Sequence, residues 1–144
     1  FKANILKVTI TGQDSHSDVI SSGEQATIAV DIRSHEDIPD VTVGIMIRDK
    51  YGQDIFGTNT YHHKVEIRLQ RDADITCSFS LRMDIGPGKY TLTAALHSKD
   101  THAEDCYHWA NNIALFEIAG NRGKQYIGLC KLYPEMSVSA QRSL

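Results

Sequence analysis

The sequence predicts an all-β domain, an antiparallel β-sandwich of seven to nine short strands. Three observations carry this. Apolar residues recur at every second position in segment after segment, the period of a strand with one buried face. Turn signals separate those segments every 8–12 residues. No segment of any length sustains the i, i+3, i+4 spacing of a helix. The clearest case is residues 41–60, VTVGIMIRDKYGQDIFGTNT, where Val41, Val43, Ile45 and Ile47 alternate. A polar turn around Gly52 follows, then a second β-prone run at Ile55 and Phe56. This reads as a β-hairpin.

The other elements follow in order. Residues 4–11 (NILKVTIT) place Leu6, Val8 and Ile10 on one face and Ile5, Lys7 and Thr9 on the other. Residues 12–23 hold two glycines and four serines and read as a loop. Residues 24–33 return to strand, with Ala26, Ile28, Val30 and Ile32 inward. A turn carrying Pro39 leads into the hairpin. Residues 61–74 alternate through Val65, Ile67 and Leu69 and end in a loop at 71–74. Residues 75–83 (ITCSFSLRM) align Ile75, Cys77, Phe79, Leu81 and Met83. Gly86-Pro87-Gly88 marks a turn. Residues 89–98 point Tyr90, Leu92, Ala94 and Leu96 inward. Residues 99–112 (KDTHAEDCYHWANN) read as a long polar loop, 113–118 as a short strand and 120–124 as a basic turn. A last apolar run, 126–133, is stopped by Pro134, and the polar tail beyond it is expected to fray.

Residues 1–144 are read as one domain, since 144 residues with 41% hydrophobic and 23% charged side chains can bury a core unaided. A net charge of −3 and a pI near 6.1 argue against nucleic acid as a partner, which needs a basic face. They argue equally against an anionic membrane surface. No apolar run approaches the roughly 20 residues of a membrane span, so no direct insertion is expected. No secretory leader pattern opens the chain. It begins at Phe1 rather than Met, and is expected to be a piece of a longer protein. Cys77, Cys106 and Cys130 are odd in number and lack C-x-x-C spacing, which favours reduced thiols in the cytosol.

Catalytic motifs are missing. There is no G-x-S-x-G and no H-E-x-x-H. Gly120-Asn121-Arg122-Gly123-Lys124 has two residues between its glycines where a phosphate loop has four, and Gln125 stands in place of the Ser or Thr that holds Mg²⁺. It reads as a turn. The chain is therefore expected to be no enzyme and to need no cofactor. Among its seven histidines, His62 and His63 are adjacent and on a strand would face opposite ways. His102, Asp105, Cys106 and His108 share one loop but lack the paired short spacings of structural zinc. No metal site is expected, and a metal-dependent hydrolase on that loop is the remaining catalytic alternative.

The Tyr107-His108-Trp109 stretch is the more informative feature, because it holds the only tryptophan beside polar groups. Sugars present apolar C–H faces and rings of hydroxyls. Aromatic platforms flanked by Asp, Asn, His and Arg suit both parts at once. Trp109 and Tyr107 would stack on a sugar, while His108, Asp105, His63, Arg48 and His97 would read its hydroxyls. Tyr61, with His62 and His63, forms a second polar–aromatic cluster. Arg48 and Met46 project opposite Ile45 and Ile47, and His97 opposite Leu96. Against this stands a plain alternative: Trp109 plugs one end of the sandwich, and the domain is a non-catalytic protein-interaction or dimerisation module.

The hairpin also carries a resemblance. Gly44-Ile45-Met46-Ile47-Arg48-Asp49, Gly52 and Ile55-Phe56-Gly57-Thr58-Asn59-Thr60 are similar to a signature of Wzt C-terminal domains. Those are the carbohydrate-binding modules at the end of the ATPase subunit of ABC transporters that export O-antigen polysaccharide. Ser22-Gly23-Glu24, Gly88-Lys89-Tyr90-Thr91-Leu92 and Phe116-Glu117-Ile118 stand in the family's order. The resemblance covers about residues 4–119. It implies an immunoglobulin-like sandwich, although the Cys…Trp…Cys pattern of antibody domains is missing. It also implies a cytoplasmic location beside the inner membrane and selection of the O-polysaccharide, at its terminal structure, before export. A homodimer, and contact with the transporter's membrane subunit through the full-length protein, are implied as well. Residues 120–144 depart from the family pattern. The run at 126–132 needs a partner sheet, and the expectation is that it crosses to a second protomer.

Overall fold

The computed structural model describes residues 2–98 and 106–140. Among these are nine strands: β1 (Ala3–Gly12), β2 (Val19–Ser22), β3 (Gln25–Ser34), β4 (Ile38–Asp49), β5 (Asp54–Asn59), β6 (Ile67–Leu69), β7 (Asp74–Arg82), β8 (Gly88–His97) and β9 (Cys106–Asn121). They form an immunoglobulin-like sandwich of a three-stranded sheet, β1-β3-β7, and a larger sheet ordered β2-β9-β8-β4-β5, with β6 paired to β4. The alternation seen in the sequence supplies the core between them. Val8, Ile10, Ile28, Val30 and Ile32 face Val43, Ile45, Ile47, Leu92, Leu96 and Phe116, all buried. Each such side chain contributes about 1.5–3 kcal/mol by leaving water.

Four local expectations change. In β1 the register shifts between Ile5 and Lys7. The bulge turns Ile5 inward (6% exposed) and leaves Leu6 48% exposed, the reverse of the simple alternation. The expected loop at 12–23 contains β2, which pairs parallel with β9 and buries Ile20 and Ser22, so the sandwich is not antiparallel throughout. The expected loop at 99–112 is strand from Cys106 onward. Its outward residues are polar or aromatic, and register shifts opposite Leu92/Ala94 and Leu96/His97 hide the period.

The run 126–133 is no strand: apart from one bridge, Ile85↔Cys130, it is irregular. Its backbone groups are held within the same chain instead. Gly86 N–H donates to Leu129 O at 2.9 Å and Lys131 N–H to Asp84 O at 3.0 Å. The Tyr126 hydroxyl meets Ser22 Oγ at 2.7 Å, and the Tyr133 hydroxyl bonds the Asp84 carboxylate. The cations of Arg82 and Lys131 lie 5.4 and 5.3 Å from the Tyr133 ring centroid.

Glu24 organises the opposite end of the same corner. Its side chain is fully buried. Oε2 accepts from the Asp14 and Ser15 amides at 3.0 and 2.7 Å, and Oε1 from the Ser21 amide at 3.0 Å. Burial pushes this carboxyl up, but the backbone donors of Ser15, Ser21 and Asp14 more than reverse that and hold its pKa at about 2. One carboxylate thus ties the β1–β2 connection to the turn before β3.

Candidate functional site

Strand register composes the site. On the outer face of the large sheet, Gly44 of β4 lies opposite Asn59 on one side and Ala95 on the other, and Ala95 lies opposite Trp109. One cross-strand row therefore reads Asn59–Gly44–Ala95–Trp109. Its two middle members carry at most a methyl group. The next row places Met46 between Gly57 and Thr93, and the row on the other side places His97 beside Thr42. The small residues make a floor, and their larger neighbours make walls. Asn59 and Trp109 stand three strand spacings apart, about 14 Å, which spans a pyranose ring. The cleft so formed has a volume of about 320 Å³.

Trp109 is 54% exposed along one wall. Its Nε1–H donates to Asn111 Oδ1 at 2.8 Å, which fixes the indole plane. Extra residues in β9 opposite Leu92 and Ala94 bring Asn111 to that position. Asn112 adopts φ 49° there, a left-handed conformation that asparagine tolerates. Thr93 Oγ1 links Asn111 to Arg48, whose Nη1 reaches it at 2.9 Å while Nε pairs with Asp54 at 2.8 Å. The turn after β5 supplies the remaining wall. Asn59 Oδ1 accepts from the His62 amide at 2.7 Å, and Thr60 Oγ1 from the Val43 amide at 3.0 Å. These two bonds give the Asn59-Thr60 pair a physical role: they fold the turn so that His62 lines the cleft.

The structure separates the residues nominated from sequence. Trp109 and His97 line the cleft, and Arg48 stands at its edge through Thr93. Tyr107 does not join Trp109: it falls at the irregularity opposite Leu96/His97 and packs against the core. His108 turns toward the other sheet, where its Nδ1 accepts the Ile5 amide at 2.8 Å. It ties the sheets together and carries its proton on Nε2. His63 lies on the flank, 3.2 Å from Thr58 Oγ1 and edge-on to Phe79. Tyr61 is exposed and meets His62 edge-on, with ring centroids 6.2 Å apart. Asp105 and His102 lie outside the described residues. Among the described residues no group of three or more potential ligands could hold a metal ion. Sequence reasoning misses Asn111 and the Gly44–Ala95 floor, and names His62 and Met46 without assigning them to the site. The outward positions of β4 and β8 were the available signal, since two small residues level with each other there mark a depression.

A second groove, about 390 Å³, opens on the flank between β5 and β7. Phe56, Val65, Ile67, Phe79 and Leu81 line it, which leaves the inward side chains of β7 only half-buried. It has apolar walls and two strand edges. The Trp109 cleft alone combines an exposed indole with a ring of polar groups.

The sequence profile of the Wzt C-terminal domain family matches residues 1–132. A solved structure described as the C-terminal domain of wzt superposes with a TM-score of 0.84 at 17% identity, covering 96% of this chain and 84% of that one. A β-glucuronidase from glycoside hydrolase family 2 aligns at TM-score 0.49 and 12% identity over 78% of this chain and 11% of its own. A CARDB domain from Pyrococcus furiosus, in complex with di-metal ions, aligns at TM-score 0.48 and 18% identity over 82% and 88%. Likeness at the level of these last two carries no functional argument. Among curated proteins no match was found.

Proposed function

The chain belongs to the Wzt C-terminal domain family, a family of non-catalytic domains in O-antigen transporter subunits, and we propose that it binds O-antigen polysaccharide to select it for export. The observation that carries this reading is the Trp109 cleft: an exposed indole beside a floor of Gly44 and Ala95, with His62 exposed at its rim and His97 buried along its lining. A sugar ring laid on the floor stacks a C–H face on the indole and turns hydroxyls toward the His62 imidazole. Arg48, Asn111 and Thr93 hold the wall in place. Selection takes place in the cytoplasm, with the domain held near the inner membrane by the rest of the transporter. Among the described residues no helix is long and apolar enough to cross a membrane.

Single-site affinity is expected at roughly 10 µM to 1 mM, because hydroxyl recognition exchanges water bonds for protein bonds at small net gain. Titration of purified O-polysaccharide tests the reading through the fluorescence of Trp109, the only tryptophan. The expected result is saturable quenching or enhancement. Trp109→Ala should weaken binding by at least about tenfold with little loss of stability, since the indole is half exposed. A chain that bound polysaccharide equally well without the indole would refute the assignment.

A homodimer belongs to the same proposal. Ile127, Leu132, Met136 and Val138 are 81–101% exposed beyond β9, an apolar series that favours a second copy as cover. The segment that carries them stays clipped to its own protomer and packs these exposed side chains on that copy, and two linked sites raise the effective affinity for a long chain. Sedimentation of a chain truncated after Asn121 checks this: a monomer is expected, and a persistent dimer would remove the segment from the interface.

A further inference from the structure

We propose that the Trp109 cleft takes a neutral sugar with a methyl-bearing apolar face, of the 6-deoxyhexose class, in preference to a fully hydroxylated hexose or a uronic acid. The inference rests on the glycan-binding reading and narrows it.

Charge comes first. The residues lining the cleft include no Lys, Arg, Asp or Glu. Arg48, at its edge, is engaged by Asp54 at 2.8 Å and by Thr93 at 2.9 Å. A carboxylate on the sugar would therefore lose water without meeting a cation made ready for it.

The floor is apolar. Gly44 and Ala95 offer only Cα and methyl surface. Met46 extends the same surface: a Cβ built on Gly57 would lie 2.7 Å from Met46 Cε, so the thioether lies flat under β5. Three of the polar atoms bordering this floor are already bonded within the chain. Trp109 Nε1 is bonded to Asn111. Asn59 Oδ1 is taken by the His62 amide. Thr93 Oγ1 serves Arg48 and the Asn112 amide. A CH₂OH pressed onto this surface gives up its water bonds for nothing, whereas a CH₃ fits without that loss. Hydroxyls elsewhere on the ring meet the exposed His62 imidazole at the rim.

The probes are methyl rhamnosides and methyl fucosides in both enantiomeric series, each beside its 6-hydroxy counterpart, together with methyl glucuronide and methyl galacturonide. Methyl-resolved NMR of the Met46 methyl and the Trp109 indole N–H reads the cleft directly. At least one 6-deoxy glycoside should shift both signals with an affinity about fivefold or more above its hydroxylated partner, and the uronides should shift neither. Gly44→Ala should weaken that binding at least fivefold while leaving the fold intact. Its new methyl meets Asn59 Cβ, Thr58 O and His97 Nε2 at 3.6–3.9 Å, ordinary contact distances, yet occupies the floor. Equal or tighter binding of the hydroxylated partners or the uronides overturns the inference, as does a panel that moves neither signal. If O-polysaccharide still binds through Trp109 in that event, the glycan-binding reading stands and only the deoxy preference falls. If the polysaccharide fails too, both fall.

Discussion

Glu24→Ala should lower the folding stability at pH 7 by about 3–4 kcal/mol, and Glu24→Gln by about 2–3 kcal/mol. The carboxylate is fully buried, and the amides of Asp14, Ser15 and Ser21 converge on it at 2.7–3.0 Å. Alanine leaves those three N–H groups without a partner away from water. Glutamine keeps one acceptor but turns an NH₂ against donors. The sign of the pH dependence follows from the carboxyl's pKa, which folding lowers from 4.5 to about 2. A group whose folded pKa is depressed stabilises the fold fully above its unfolded value and less as pH falls toward the folded one. The depression corresponds to about 3 kcal/mol, present above about pH 5 and fading between pH 4.5 and 2. Urea midpoints at pH 7 and pH 3 check this: the gap between wild type and Glu24→Gln should be wide at the first and narrow at the second. An equal gap at both would show that shape, not charge, is what the site requires.

That carboxylate also shows where the sequence speaks and where it is silent. Glu24 reads as the polar first residue of a strand, and its role depends on amides three to ten positions upstream that reach it only after the loop folds. The strands themselves are legible because burying one face imposes a period of two, and β3 and β7 keep that period unbroken. Leu6 misleads because a bulge adds one residue and exchanges the faces. β2 is invisible because four residues cannot display a period, and its partner Glu117–Asn121 lies nearly a hundred residues away.

The site was legible in part for the same reason. Trp109 and His97 line the candidate cleft, with Arg48 at its edge, because alternation on neighbouring strands decides which side chains share a face. Tyr107 and His108 do not, since an irregularity in β9 breaks the alternation at that point. His62 rather than His63 enters the cleft through the Asn59 cap, a choice that belongs to turn geometry and not to the period of any strand.

Gly86→Ala should release residues 126–133 from the body of the domain, with a loss of about 2–3 kcal/mol. A Cβ at Gly86 would stand 2.2 Å from the carbonyl oxygen of Gly128. Both partners are backbone, so no rotamer change relieves the contact. The Tyr90 hydroxyl bond to Gly86 O at 2.6 Å pins the turn from the core side, which leaves the outer segment as the part that yields. With it go the Gly86–Leu129 and Lys131–Asp84 backbone bonds and the seat of Tyr133 between Arg82 and Lys131. The two sheets should survive, because Ile127 and Leu132 are exposed and add little to the core. Trypsin should accordingly cut after Lys124 or Lys131 at least about tenfold faster in the variant, while amide exchange in β3, β4 and β8 stays slow. Unchanged cleavage would mean that the segment tolerates the methyl and is held elsewhere. The same variant tests the interface: if the clipped segment is what faces a second copy, dimerisation in sedimentation is lost together with protection from trypsin, and a dimer that persists would place the interface elsewhere.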